Sequence, residues 1–146
     1  MKKLFVVFFS ILIATIIGTS FTKGNPEKTT EVASIYGNLY AFQIGVFQDK
    51  ESAENIRKQY EGIIVEKDGL NYVYIGILSN TSNIERYINI LDKTNIYYYV
   101  KLIPTNLEFQ NELYNYEELM KNCTSDIAFT TLVKQALKKY EVSYEN

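Results

Sequence analysis

The chain has 146 residues, enough for one compact domain with an appendage. With 47% hydrophobic and 22% charged residues it has the composition of a globular protein, and its net charge of −2 argues against a dominant electrostatic grip on nucleic acid or an anionic membrane. The absence of histidine and a single cysteine, Cys123, exclude Ser-His-Asp and Cys-His catalysis, His-ligated metals, Cys-rich zinc sites and an intramolecular disulfide. No metal or cofactor is expected. Thirteen tyrosines and eight phenylalanines point to binding surfaces rather than acid–base chemistry.

Lys2 and Lys3 precede an apolar run from Leu4 to Gly18, extended to Phe21, which is the pattern of an export signal. Gly18 and Ser20 could flank a cleavage site, but no A-x-A triplet is present. The preferred reading is an uncleaved, single-pass anchor over residues 1–21. Its 18 residues from Leu4 lie near the lower limit for crossing a hydrocarbon core of about 30 Å. The two lysines place the N-terminus in the cytoplasm and the rest of the chain outside the cell membrane. Residues 22–38, rich in Lys, Gly, Asn, Pro, Glu and Thr, read as a linker.

From Leu39 the pattern alternates, as in a half-buried strand. Asp49 caps a predicted helix from Lys50 to Tyr60, with Gly62 as the residue that ends it. Ile63 to Glu66 is a short strand, Asp68-Gly69 a hairpin turn, and Leu70 to Leu78 the next strand. Ser82 with Glu85 forms a capping box for a helix to about Lys93, and Tyr97 to Ile103 is the last strand. The order is β-α-β-β-α-β. It is also an internal repeat, because Gln43-Ile44-Gly45-Val46-Phe47 matches Tyr74-Ile75-Gly76-Ile77-Leu78 at an offset of 31.

After Pro104, Thr105 with Glu108 suggests a capped helix with Phe109, Leu113, Tyr116 and Met120 in one stripe. A second helix starts near Ser125, with a stripe through Phe129, Val133, Leu137 and Tyr140. The predicted architecture is therefore α+β. A βαββαβ four-stranded antiparallel sheet over residues 39–104 carries two helices on one face. An N-terminal membrane segment precedes it and a C-terminal αα-hairpin over residues 105–146 follows.

Strict alternation turns Phe42, Ile44 and Val46 toward the helices, together with Val73, Ile75 and Ile77. It turns Gln43, Gly45, Phe47, Tyr72 and Tyr74 outward, joined by Tyr97, Tyr99 and Lys101 from the last strand. Aromatic rings stack on the C–H faces of sugars, and an amide such as Gln43 both donates to and accepts from hydroxyl and N-acetyl groups. Three readings of this face stand at this point: a ligand site, a solvated surface, or a face packed in the interior (where the C-terminal helices could cover it) or against a partner.

The motifs Tyr40-Ala41-Phe42-Gln43-Ile44-Gly45-Val46-Phe47, Ser52-Ala53-Glu54 and Tyr72-Val73-Tyr74-Ile75-Gly76-Ile77 resemble those of the SPOR domain family. The resemblance covers Leu39 to Ile103. It implies a septal peptidoglycan-binding domain, without catalysis, that recognises glycan strands stripped of stem peptides, and it gives Gln43 a role in glycan contact. The second repeat departs from the family, with Ile77-Leu78 where Pro-Phe is usual. The candidate glycan-binding residues are Gln43, Phe47, Tyr72, Tyr74, Tyr97 and Tyr99. The implied partners are peptidoglycan glycan strands, the membrane through the N-terminal segment, and division or envelope proteins, but no nucleic acid. An RNA-binding reading of the same element order fails because its Lys/Arg-Gly-aromatic pattern is missing from the third strand. The alternative function is an envelope interaction scaffold acting through the helical hairpin or the tyrosine face.

Overall fold

The computed structural model describes residues 39–145. The expected anchor and linker lie outside the described residues. Among the described residues, no helix is long and apolar enough to cross a membrane. The chain order is β1 (Leu39–Phe47), α1 (Lys50–Tyr60), β2 (Ile63–Lys67), β3 (Leu70–Leu78), α2 (Thr81–Lys93), β4 (Tyr99–Ile103), α3 (Leu107–Lys121) and α4 (Asp126–Glu145). The strands form one antiparallel sheet in the order β2-β3-β1-β4. This is the βαββαβ unit with its C-terminal αα-hairpin.

Local chemistry explains most boundaries. The Asp49 carboxylate accepts from the Ser52 amide at 2.8 Å and the Ser52 hydroxyl at 2.7 Å, which starts α1. These bonds hold the Asp49 pKa below its ordinary value. The β2–β3 turn uses Asp68 at φ 54° and Gly69 at φ 75°, the backbone that a two-residue Asp-Gly hairpin requires. Two predicted caps shift. Asn80, not Ser82, caps α2, its carbonyl accepting from the amides of Ser82 and Asn83. Asn106, not Thr105, caps α3, accepting from the Phe109 amide at 2.8 Å. The left-handed residue that ends α1 is Glu61 (φ 53°), not Gly62.

Strict alternation fails in the middle of the sheet. Phe42 lies opposite Gly76, Gln43 opposite Tyr74, and Gly45 opposite Val73. Ile75 and Ile44 are thus each passed over, and the register shifts on both sides of Gln43. Such irregularities re-aim every side chain beyond them. Ile77 therefore lies with Ala41, on the face away from Phe42, whereas Val73 lies on the Phe42 face. Val46 lies opposite Tyr72, and Phe47 lies opposite Asn71 beside Val73. Phe47 and Gln43 consequently occupy opposite faces of the sheet, a correction to the outward row read from the sequence.

The two faces are covered differently. On the Phe42 face, α1 packs across β1, β3 and β2. From α2, Tyr87 meets the Phe42 ring edge-on at 4.9 Å. The Tyr98 ring lies 5.6 Å from Phe42. Because β2 ends opposite Tyr74, β3 has no strand on its β2 side beyond that point among the described residues. There the Tyr87 hydroxyl donates to the Ile75 carbonyl at 2.8 Å. Burial holds the Tyr87 hydroxyl well above its ordinary pKa.

On the other face lies α4, packed on β3 and β2, with Tyr140 and Tyr144 beside Tyr74. The face predicted to be open is therefore partly closed by the C-terminal hairpin, which was one of the three readings. The hairpin shares the core: Phe109, Leu113, Met120, Phe129, Val133 and Leu137 are buried together with Leu39, Ala41 and Ile77. A buried carboxylate locks it in place. Glu117 of α3 accepts from the Ser79 and Asn80 amides at 2.7 Å each and from the Ser79 hydroxyl. Arg86 ties α2 to the hairpin through the Cys123 carbonyl and Asp126.

Candidate functional site

Of the six residues singled out from the sequence, the sheet brings four onto one face. Gln43 of β1 sits between Tyr74 of β3 and Tyr99 of β4 in register. Tyr72 follows Tyr74 two residues away, on the same side. The other two are elsewhere. Phe47 is on the α1 side, and Tyr97, 91% exposed, precedes β4 and belongs to no strand. The neighbouring Tyr98 turns inward, and its hydroxyl donates to Asp92 at 3.2 Å.

The face has a closed part and an open part. Tyr74 is only 5% exposed, beneath α4. Burial, then the phenols of Tyr140, Tyr72 and Tyr144, hold its hydroxyl well above the ordinary tyrosine pKa. Beyond it the floor continues to Tyr72 and Val46, both half-buried, and to Tyr99, which is 65% exposed. Tyr144 stands half out of α4 on one side, and β4 bounds the other. The result is a tyrosine-lined strip walled by a helix rather than a flat open sheet.

Gln43 lies at the inner margin of this strip and is 9% exposed. Its carbonyl oxygen is buried and has no hydrogen-bond partner among the described residues. A buried amide oxygen without a donor costs about 1–3 kcal/mol. An N–H or O–H from a bound molecule would remove that cost.

Lys101 of β4 is a cation on this face. Its ammonium lies 4.7 Å from the centre of the Tyr72 ring. Desolvation first, and the nearby Lys67 charge second, hold its pKa below the ordinary lysine value. The sequence marked Lys101 as exposed but not as part of the site. Lys101 lies opposite Ala41 and Tyr72 opposite Val46, and the register shift near Gln43 leaves them on one face, as alternation also had them. Glu117 was also missed. Its signal was an acid four residues after Leu113 on the apolar stripe, a position the sequence reading gave to Tyr116.

Among the described residues no group of three His, Cys, Asp or Glu side chains could hold a metal ion. No family model matches the chain, and no curated protein matches it. Among solved structures, the chain is similar to the solution structure of the peptidoglycan binding domain of the B. subtilis cell wall lytic enzyme CwlC. The identity is 28%, over 53% of this chain and 98% of that one, with a TM-score of 0.40.

Proposed function

We propose that this chain is a non-catalytic binder of peptidoglycan glycan strands, held at the cell membrane by its N-terminal segment and acting in the envelope at division. The observation that carries the reading is the buried, partnerless carbonyl oxygen of Gln43, set at the edge of a strip lined by Tyr72, Tyr74 and Tyr99. Sugars supply what this strip lacks. Their N-acetyl and hydroxyl groups donate to Gln43, and their C–H faces stack on tyrosine rings. The motif resemblance to SPOR domains gives Gln43 the same task. Glycan contact is assigned to Gln43, Tyr72 and Tyr99, with Tyr74 as the inner wall.

The test is co-sedimentation of the full chain, in mild detergent, with isolated cell-wall sacculi before and after amidase treatment. Pelleting should rise after amidase and fall about ten-fold in affinity for Gln43→Ala, the loss of one good hydrogen bond to a buried group. No pelleting by a folded sample in any condition would overturn the reading.

A second reading is a protein-interaction scaffold. It is favoured by the exposed apolar side chains of the hairpin, Tyr114, Leu119 and Ile127. Gln43→Ala would leave that activity intact.

A further inference from the structure

Lys101 and Lys67 pose a problem that the glycan reading alone does not solve. Both lysines lie on the face that carries Tyr72, and desolvation first, with the Lys67 charge second, lowers the Lys101 pKa. Among the described residues, neither lysine is within ion-pair distance of a carboxylate, although six other ion pairs form in the same region of chain. Lys101 is not swinging freely in solvent either. Its ammonium is held over the Tyr72 ring, on the strip that includes Gln43. An exposed lysine pair on one face, one member held in place by a ring, offers an anion two positive partners. The protein as a whole is acidic, with a net charge of −2, so this local positive spot is not a by-product of general basicity.

We propose that Lys101, supported by Lys67, binds the carboxylate of the lactyl ether on muramic acid. This rests on the glycan-binding reading and names the chemical group that the strip selects. In intact peptidoglycan that carboxyl is an amide, neutral and blocked by the stem peptide. Amidase cleavage leaves a free carboxylate on each muramic acid. A cation seated among sugar-stacking tyrosines senses that change by charge as well as by the space the peptide vacates. Gln43 and the tyrosines then hold the sugar, and Lys101 reports whether its peptide has gone.

The experiment compares three ligands against the full chain in mild detergent. They are glycan oligosaccharides with free lactyl carboxylates, the same oligosaccharides converted to methylamides, and chitotetraose, which has no lactyl group. Wild type should bind the carboxylate form about five-fold more tightly than the methylamide, the range of a partly exposed ion pair. Raising the salt concentration should narrow that gap. Lys101→Gln should abolish the preference while leaving methylamide and chitotetraose binding in place. Lys101→Arg should keep part of the preference, and Lys67→Gln should reduce it. Equal wild-type binding of carboxylate and methylamide would overturn the proposal and leave the glycan reading standing. So would an equal loss of all three ligands in Lys101→Gln. Binding of none of the ligands by wild type would overturn both.

Discussion

Gly62 follows a helix, yet its importance is space rather than conformation. A side chain there would start 2.5 Å from the Tyr74 carbonyl oxygen, a backbone atom that cannot step aside. The left-handed backbone position belongs to Glu61, whose carboxylate pairs with Lys134 of α4. Gly62→Ala should therefore lose about 1–3 kcal/mol in denaturant unfolding, the usual cost of forcing extra atoms into a packed site. A Gly62 acting only as a helix terminator would respond through its dihedrals alone. The sequence made this glycine visible but suggested the wrong reason for it, because a glycine after an amphipathic run looks the same whether it turns the chain or admits a neighbour. Gln43 is different. Its type and position were legible, but its burial was not, since the register shifts on both sides of it left no mark in the alternation.

At the scale of elements, the hairpin is joined to the sheet by one side chain more than by any other. Glu117 is 3% exposed and receives the donors of the turn that opens α2, while its own backbone carbonyl accepts from the Asn83 amide group. Glu117→Ala would leave two half-buried amides and a hydroxyl without that acceptor. A loss of at least about 2 kcal/mol is expected in chemical unfolding, since hydrogen bonds to charged groups are among the stronger ones. An unchanged midpoint would show that water replaces the carboxylate. The helices themselves were plain in the sequence through their spacing. Their caps were less so, because Ser82 and Thr105 offered the familiar Ser/Thr-x-x-Glu pattern while asparagines close by in sequence made the bonds. The irregularities at Ile75 and Ile44, on either side of the Gln43 pair, had no clear sequence signature. Alternation was the only guide there, and an irregular register is where that guide fails.

For the whole molecule, the buried phenols couple folding to alkaline pH. Burial, with the nearby Tyr144, pushes the Tyr140 pKa up to about 12. Tyr74 and Tyr87 are raised as well. An unfolded tyrosine ionises near pH 10. A pKa raised on folding gives stability that is fully present below about pH 10 and is lost as pH climbs through the folded value. The melting temperature should fall steeply above pH 10, and Tyr140→Phe should make that fall shallower. An identical slope in the variant would remove Tyr140 from the account. The α+β class and strand sequence could be read from alternation, the Asp-Gly turn and the internal repeat. Which surface the hairpin covers could not, because an amphipathic helix announces that it must bury one side without naming what it will bury it against.

Among the described residues β4 is an outer strand, and beyond it the sheet has no further neighbour. Val100 and Leu102 are exposed on that strand, with Lys101 between them. A bare strand edge with apolar side chains is a template for stacking one chain on another, and a lysine in its middle is a common deterrent. The positive charge at position 101 thus also bears on shelf life: the lysine seated over the Tyr72 ring also stands where it can keep neighbouring copies from zipping together.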